Sequence, residues 1–274
     1  MRKDASTATV LLTGAAGGIG SAIARLLAAQ GYSLLLQGRN QERLETLRLN
    51  LPHPERHRTM VADLTDKAQR QSLVERCQAL AGGVDVLINN AGVSQFALLE
   101  HIDDASLREV LETNLLVPIA LTRDLLPLLA QSRHGAVVNI GSAFGHIGHP
   151  GFCLYGASKA GLHGFSEALR REQGDSGVQV HYLAPRAVDT TLNSDAVKNL
   201  NRALGNHSDA PETVAAQCLK LLQSGSSGRR FIGWPERLFI KVNALLPAVV
   251  DSALIKKLPV VREYAAGKKP QGEI

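Results

Sequence analysis

A chain of 274 residues, 45% apolar and 20% charged, is long enough to bury one substantial core. Cys77, Cys153 and Cys218 are odd in number, widely spaced and without a CxxC pair, which argues against a disulfide framework or a zinc site and reads as reduced thiols. The net charge of +5 resides between Arg229 and Ile274, where nine Lys or Arg, Lys268 and Lys269 among them, face four acids; no nucleic-acid motif or aromatic platform accompanies it, so nucleic acid is not an expected partner.

The first nine residues, MRKDASTAT, are charged without a following apolar segment, and no uninterrupted apolar run approaches the ~20 residues a bilayer span needs, so a soluble cytoplasmic protein is expected. A strand at 9–12 runs straight into TGAAGGIG, 13–20, and then a helical pattern at 19–30. Gly14, Gly18 and Gly20 permit tight turns and close backbone approach, and a helix N-terminus there offers free N–H groups and positive dipole to a pyrophosphate. The second strand, 33–37, ends in LLLQGRN with no acid between Leu34 and Asn40. An acid would serve the ribose hydroxyl of NAD; Arg39 instead suits the extra phosphate of NADP. After a helix at 41–51, the third strand, 58–62, leads into VADL, where Asp63 is suited to accept from the adenine amino group with Leu64 packed alongside.

A helix at 67–80, a strand at 84–89, one long helix at 105–129, a strand at 136–140, a helix at 152–172 and a strand at 179–183 follow, then a helix at 211–222 and a strand at 230–232. This alternation predicts a single Rossmann-like, doubly wound α/β fold, a parallel sheet of about seven strands with helices on both faces. Residues 190–210, rich in Asn, Asp and Ser, follow a strand's carboxyl end and read as an irregular flap over a ligand site.

Taken in order, TGAAGGIG, NNAG at 89–92, Asn114 in ETNLL, Ser142 in NIGSAFG and YGASK at 155–159 resemble the short-chain dehydrogenase/reductase family over about residues 9–232. The resemblance implies NAD(P)-dependent oxidation or reduction of an alcohol or carbonyl, a homodimer or homotetramer, and a catalytic set of Asn114, Ser142, Tyr155 and Lys159. It implies cofactor contacts from Gly14, Gly18, Ile19, Gly20, Asn90, Ala91, Gly92, Tyr155, Lys159, Pro185, Val188 and Thr190 beside Arg39, Asp63 and Leu64. Asn114 would anchor a water in a proton relay, and Lys159 would hold the nicotinamide ribose.

Physical reading supports the same set. One helical turn separates Tyr155 from Lys159, so an ammonium can approach the phenol and lower its pKa. Ser142, at a strand's carboxyl end, is placed to hydrogen-bond the substrate oxygen, where hydride arrival leaves negative charge. His146 and His149, in GHIGHPG, lack a carboxylate or Cys partner at ligand spacing and read as loop residues beside the substrate opening rather than a metal site.

Two features depart from the family pattern. LAPRAVDT, 183–190, sets Arg186 where a glycine is usual, and this cation either meets an anionic group of substrate or cofactor or points to solvent. Beyond a core region at 1–232, residues 233–274 form a basic, apolar-striped extension in which Pro235 and Pro247 suit the first turns of two helices. Its stripes suit packing over a pocket or at a subunit interface first, and peripheral contact with an anionic membrane second. An NADP-dependent reductase of a hydrophobic ketone with an anionic or carrier-linked end, such as a 3-oxoacyl thioester, is expected; a steroid or lipid alcohol dehydrogenase, or a non-catalytic cofactor sensor, are the alternatives.

Overall fold

A computed structural model describes residues 8–266, so the predicted features at 1–7 and 267–274, including Lys268 and Lys269, lie outside the described residues. Seven strands, β1 (Thr9–Leu12), β2 (Ser33–Gly38), β3 (Arg58–Val61), β4 (Val86–Asn89), β5 (Ala136–Ile140), β6 (Gln179–Ala184) and β7 (Gly228–Phe231), form one sheet in the order β3-β2-β1-β4-β5-β6-β7. Every pairing is parallel. A parallel sheet is buried on both faces, which is why β1 reads TVLL and β5 reads AVVNI without polar alternation.

Helices α1 (Gly18–Ala29), α2 (Gln41–Leu49), α3 (Lys67–Gln78), α4 (Asp104–Leu111), α5 (Val117–Gln131), α6 (Cys153–Glu172), α7 (Asp195–Ala203) and α8 (Pro211–Leu222) connect the strands. Val10 and Leu12 of β1 pack with Ile23 and Leu27 of α1 and Val214 and Leu221 of α8, while Leu11, on the other face, packs with Leu73 of α3 and Leu121 and Leu125 of α5. The continuous helical stretch Asp104–Gln131 is long and apolar enough to cross a membrane, but its Leu121, Leu125 and Leu129 are fully buried in this second core.

Three segments differ from expectation. The long helix is interrupted by a π-turn, Glu112–Leu116, that carries Asn114; Pro118, two residues beyond it, cannot donate to the carbonyl of Asn114. The flap at 190–210 contains α7, whose Ser194 caps it by accepting from the Val197 N–H; Val197, Leu200 and Leu204, at i, i+3 and i+7, give it a short apolar stripe set among polar residues. In the extension, α9 (Glu236–Leu245) and α10 (Pro247–Ala265) form, with Pro247 at the first turn of α10 but Pro235 one position before α9. Val261 of α10 is fully buried with Phe152, Val197 and Leu200 in a third cluster over the carboxyl ends of the strands.

Candidate active site

Strand order reverses at β1 and β4, and the turns that follow these two strands meet there. The Thr13 hydroxyl accepts from Asn90 N (2.9 Å) and Ala91 N (3.0 Å), and Asn90 Nδ2 donates to Thr13 O at 2.9 Å, so NNAG is clamped against the glycine turn. Gly14 has φ +61°, and a Cβ there would lie 2.8 Å from Ala91 Cα; a Cβ at Gly20 would lie 2.2 Å from Gly14 O. No side chain caps Gly17 at the start of α1, which leaves that helix terminus available to an anion.

Beside this turn a cavity of 330 Å³ is lined by Gly14, Gly18, Ile19, Gly20, Arg39, Asp63, Leu64, Asn90, Ala91, Gly92 and Thr190. Gln37 stiffens its floor, accepting from Gly14 N (3.3 Å) and donating to Ala62 O (2.8 Å). Asp63 accepts from Thr65 N and Oγ1, and these bonds, with Arg39 nearby, hold its carboxyl below the usual range. Arg43, absent from the sequence expectation, lines the same end and donates to Ala16 O at 3.1 Å. It lies four residues beyond Arg39 in α2, a spacing that would have put it on the list had the helix start been weighed together with the strand end.

A second cavity, of 380 Å³, continues from the first and shares Ile19, Asn90, Gly92 and Thr190 with it. Ser142, Tyr155 and Lys159 are brought together in its wall. The Ser142 hydroxyl accepts from Phe144 N at 3.1 Å and is within hydrogen-bonding reach of Tyr155. Pro185 and Val188, expected at the cofactor, line this cavity beside Tyr155 and Lys159.

Lys159 is buried and donates to Ile140 O at 3.0 Å, with its Nζ 5.8 Å from the centre of the Tyr155 ring. The expected lowering of the Tyr155 pKa by Lys159 is therefore corrected. Burial raises it, opposed by the Ser142 hydrogen bond, and burial lowers Lys159 to about 8. The ammonium points at a carbonyl rather than the phenol oxygen, and desolvation dominates.

Asn114 is fully buried one layer behind the wall. Its Oδ1 accepts from Val93 N (2.8 Å), while Nδ2 donates to Val93 O (2.9 Å) and Ser158 Oγ (3.1 Å). Ser158 in turn donates to Tyr155 O at 2.7 Å, so Asn114 is tied to the backbone of the tyrosine. Deeper still, Asn89 donates to Asn139 Oδ1 (2.8 Å) and Thr122 Oγ1 (3.1 Å), and Asn139 donates to Ser166 Oγ (2.8 Å), joining β4, β5, α5 and α6 beneath the site.

The rest of the second cavity is mainly apolar, with Phe144, Ile147 and Phe152 from the α6 approach, Leu192 and Val197 from the flap, and Phe239, Val242 and Leu254 from α9 and α10, while Asn201, His207, Glu236 and Lys257 add polar groups to its lining. The extension thus forms one wall of the cavity. Arg186 borders this cavity, but its guanidinium is taken up by contacts within the protein rather than left to solvent. Its Nη2 donates to Asp209 Oδ1 (2.7 Å), and its Nη1 to Trp234 O (2.9 Å) and Glu236 Oε2 (3.3 Å), joining β6, the end of the flap and the start of α9. The two histidines also part company. His149 lines the cavity, but His146 turns away against His163, Tyr182 and Phe231, where burial first, then His163 and Arg229, lowers its pKa to about 4. Among the described residues no cluster of metal-ligating side chains occurs.

The family model for short chain dehydrogenases matches residues 8–201. Nodulation protein G of Rhizobium sp. (strain N33) is 40% identical over 182 residues, 66% of this chain and 74% of that protein. The 3-oxoacyl-[acyl-carrier-protein] reductase of Escherichia coli (strain K12) is 35% identical over 182 residues, again 66% and 74%. A solved short-chain dehydrogenase from Streptomyces avermitilis superposes with a TM-score of 0.78 at 29% identity, covering 93% of this chain and 98% of its own.

Proposed function

The chain belongs to the short-chain dehydrogenase/reductase family and is an oxidoreductase of that type, and from this premise we propose that it is an NADP-dependent reductase of a hydrophobic ketone. The observation that carries the proposal is the continuity of the two cavities, with Ser142, Tyr155 and Lys159 in the apolar one and Arg39 and Arg43 at the far end of the other. Likeness to a 3-oxoacyl-carrier-protein reductase favours a 3-oxoacyl type of substrate, and the apolar wall suits its acyl chain. A homo-oligomer fits the same reading.

The residues of the first cavity fit a dinucleotide. The positive φ of Gly14 and the uncapped start of α1 suit a pyrophosphate, Asp63 and Leu64 an adenine, and Arg39 with Arg43 a 2′-phosphate. When bound, NADPH supplies a hydride to the carbonyl carbon. The chain's own task is then the oxygen. Ser142 donates a hydrogen bond to it, and Tyr155 donates the proton that completes the alcohol. The raised pKa of Tyr155 keeps that proton in place at neutral pH, and negative charge developing on the substrate oxygen draws it off. Lys159, charged below about pH 8, stabilises the phenolate left behind. Asn114 is assigned a positioning role, fixing Val93 and, through Ser158, the helix that carries Tyr155.

NADPH and NADH oxidation across a panel of ketones tests this, with Tyr155→Phe and Arg39→Gln/Arg43→Gln variants. Tyr155→Phe is expected to abolish turnover. Loss of the two arginines is expected to raise the NADPH KM by about 10–100-fold, the size of a charge-assisted hydrogen bond, and to leave the NADH KM unchanged. Unchanged turnover in Tyr155→Phe refutes the mechanism, and equal effects on both cofactors refute the assignment of NADP.

A further inference from the structure

The hairpin of α9 and α10 buries one side and leaves the other bare. Val250 and Val261 hold it to the protein, and Asn243 Nδ2 donates to His146 O at 2.8 Å. At its tip, however, the six residues ALLPAV, 244–249, are all exposed and contain no charge or side-chain hydrogen-bonding group. Leu245 is 79% exposed, Leu246 60% and Val249 57%. A run of this kind on a water-facing surface costs solubility without adding to the core, so it calls for a partner.

The surroundings of the tip identify that partner's chemistry. Between residues 237 and 257 stand Arg237, Lys241, Lys256 and Lys257 against one acid, Asp251. On α9, Leu238, Lys241 and Leu245 recur at i, i+3 and i+7, so apolar and cationic side chains share the exposed face. A second copy of this chain meeting the face about a two-fold axis would bring those cations against their own counterparts, with only Asp251 to answer them. An anionic lipid surface instead accepts the apolar tip among its acyl chains and the cations among its headgroups.

We propose that the α9–α10 hairpin docks the enzyme on an anionic lipid bilayer, with ALLPAV inserted and the mouth of the catalytic cavity facing the lipid. Position links docking to catalysis. Phe239 and Val249 both line the cavity and are exposed, 48% and 57%, so the opening lies beside the inserted tip. A lipid-soluble ketone passes from bilayer to Tyr155 along α9 and α10 without crossing water. The proposal rests on the reductase reading for its substrate, but the docking itself is measured without turnover.

The test is flotation of the full chain with vesicles of phosphatidylcholine alone and of phosphatidylcholine mixed with phosphatidylglycerol, compared with Leu245→Glu/Leu246→Glu and Lys241→Gln/Lys256→Gln variants. Leu245 and Leu246 lie outside the cavity wall and are exposed, so folding and turnover of a small water-soluble ketone are expected to persist. The full chain is expected to float with the anionic vesicles. The leucine variant should stay in solution, and each cation removed should weaken partitioning roughly fivefold. Docking is overturned if the full chain floats with neither vesicle, or if the leucine variant floats as well as the parent. It is also overturned if the leucine variant converts a dimer to a monomer in vesicle-free solution, because the tip is then a subunit contact. A Tyr155→Phe protein that floats normally but does not turn over separates docking from the catalytic mechanism.

Discussion

Arg186→Gln is expected to act on stability and not on ligand binding. The wild-type guanidinium answers two carboxylates and a carbonyl, at 2.7 Å to Asp209, 3.3 Å to Glu236 and 2.9 Å to Trp234 O, with its side chain 15% exposed and that of Asp209 13% exposed. Removing one member of a buried ion pair costs about 3–5 kcal/mol because the other charge is left unanswered. Two observations move this site below that range: Glu236 is 25% exposed and can be hydrated, and Arg186 Nε and Asp209 Oδ2 find no partner, so the pair is imperfectly satisfied. A loss of about 2 kcal/mol remains, which for a chain of this size lowers Tm by roughly 4–8 °C. Urea and thermal unfolding measure it. Asp209→Asn should lose a comparable amount, and the double variant should lose less than the two single variants added together. KM for cofactor and ketone should change less than twofold. If Arg186→Gln keeps its stability and instead raises either KM tenfold, the ion-pair account is wrong and the guanidinium serves a ligand.

The buried Lys159 gives a pH signature: with its folded pKa lowered to about 8, the residue is an ammonium below that value and neutral above it, so kcat/KM for reduction should fall with rising pH through about 8. The same lowering works against stability. Its penalty is full below pH 8 and is relieved as pH climbs from about 8 toward the ordinary lysine value near ~10.4, a trend Lys159→Met should remove in denaturation curves. Gly18→Ala places a Cβ 2.6 Å from Thr190 Cγ2, so cofactor titration should show weakened NADPH binding with little change in fold. Leu121→Ala empties a fully buried position in the α5 core and should cost about 3 kcal/mol in urea unfolding, with the KM values unaltered.

What was legible in the sequence was what proximity along the chain encodes. All seven strands and the six helices read from apolar periodicity lie within a few residues of their predicted spans, because each carries its own hydrophobic pattern and several carry their own caps. The glycine turn was legible because strand, turn and helix are contiguous. Arg186 was misread because its partners Asp209 and Glu236 are 23 and 50 residues away and belong to segments whose paths no local pattern fixes. His146 and His149, three residues apart, were read as a pair although a short 3-10 turn, Ala143–Gly145, and the bend after it aim one at β6 and the other into the cavity.

Tyr155 and Lys159 show the same boundary inside a single motif. Spacing of four residues correctly places both side chains on one face of α6, and from spacing alone a cation near a phenol makes a stronger acid. The electrostatic outcome depends on a third quantity that spacing does not contain, the amount of protein around each group. Here both are desolvated, so each is pushed toward its neutral form, the phenol upward and the amine downward. The amine, bound to Ile140 O, is still an ammonium below about pH 8, and negative charge gained nearby holds its proton more firmly. In the proposed mechanism, proton transfer from Tyr155 produces such a charge. The lysine therefore answers the phenolate as it forms instead of creating it in advance, which suits a residue that must hold a proton until the substrate oxygen asks for it.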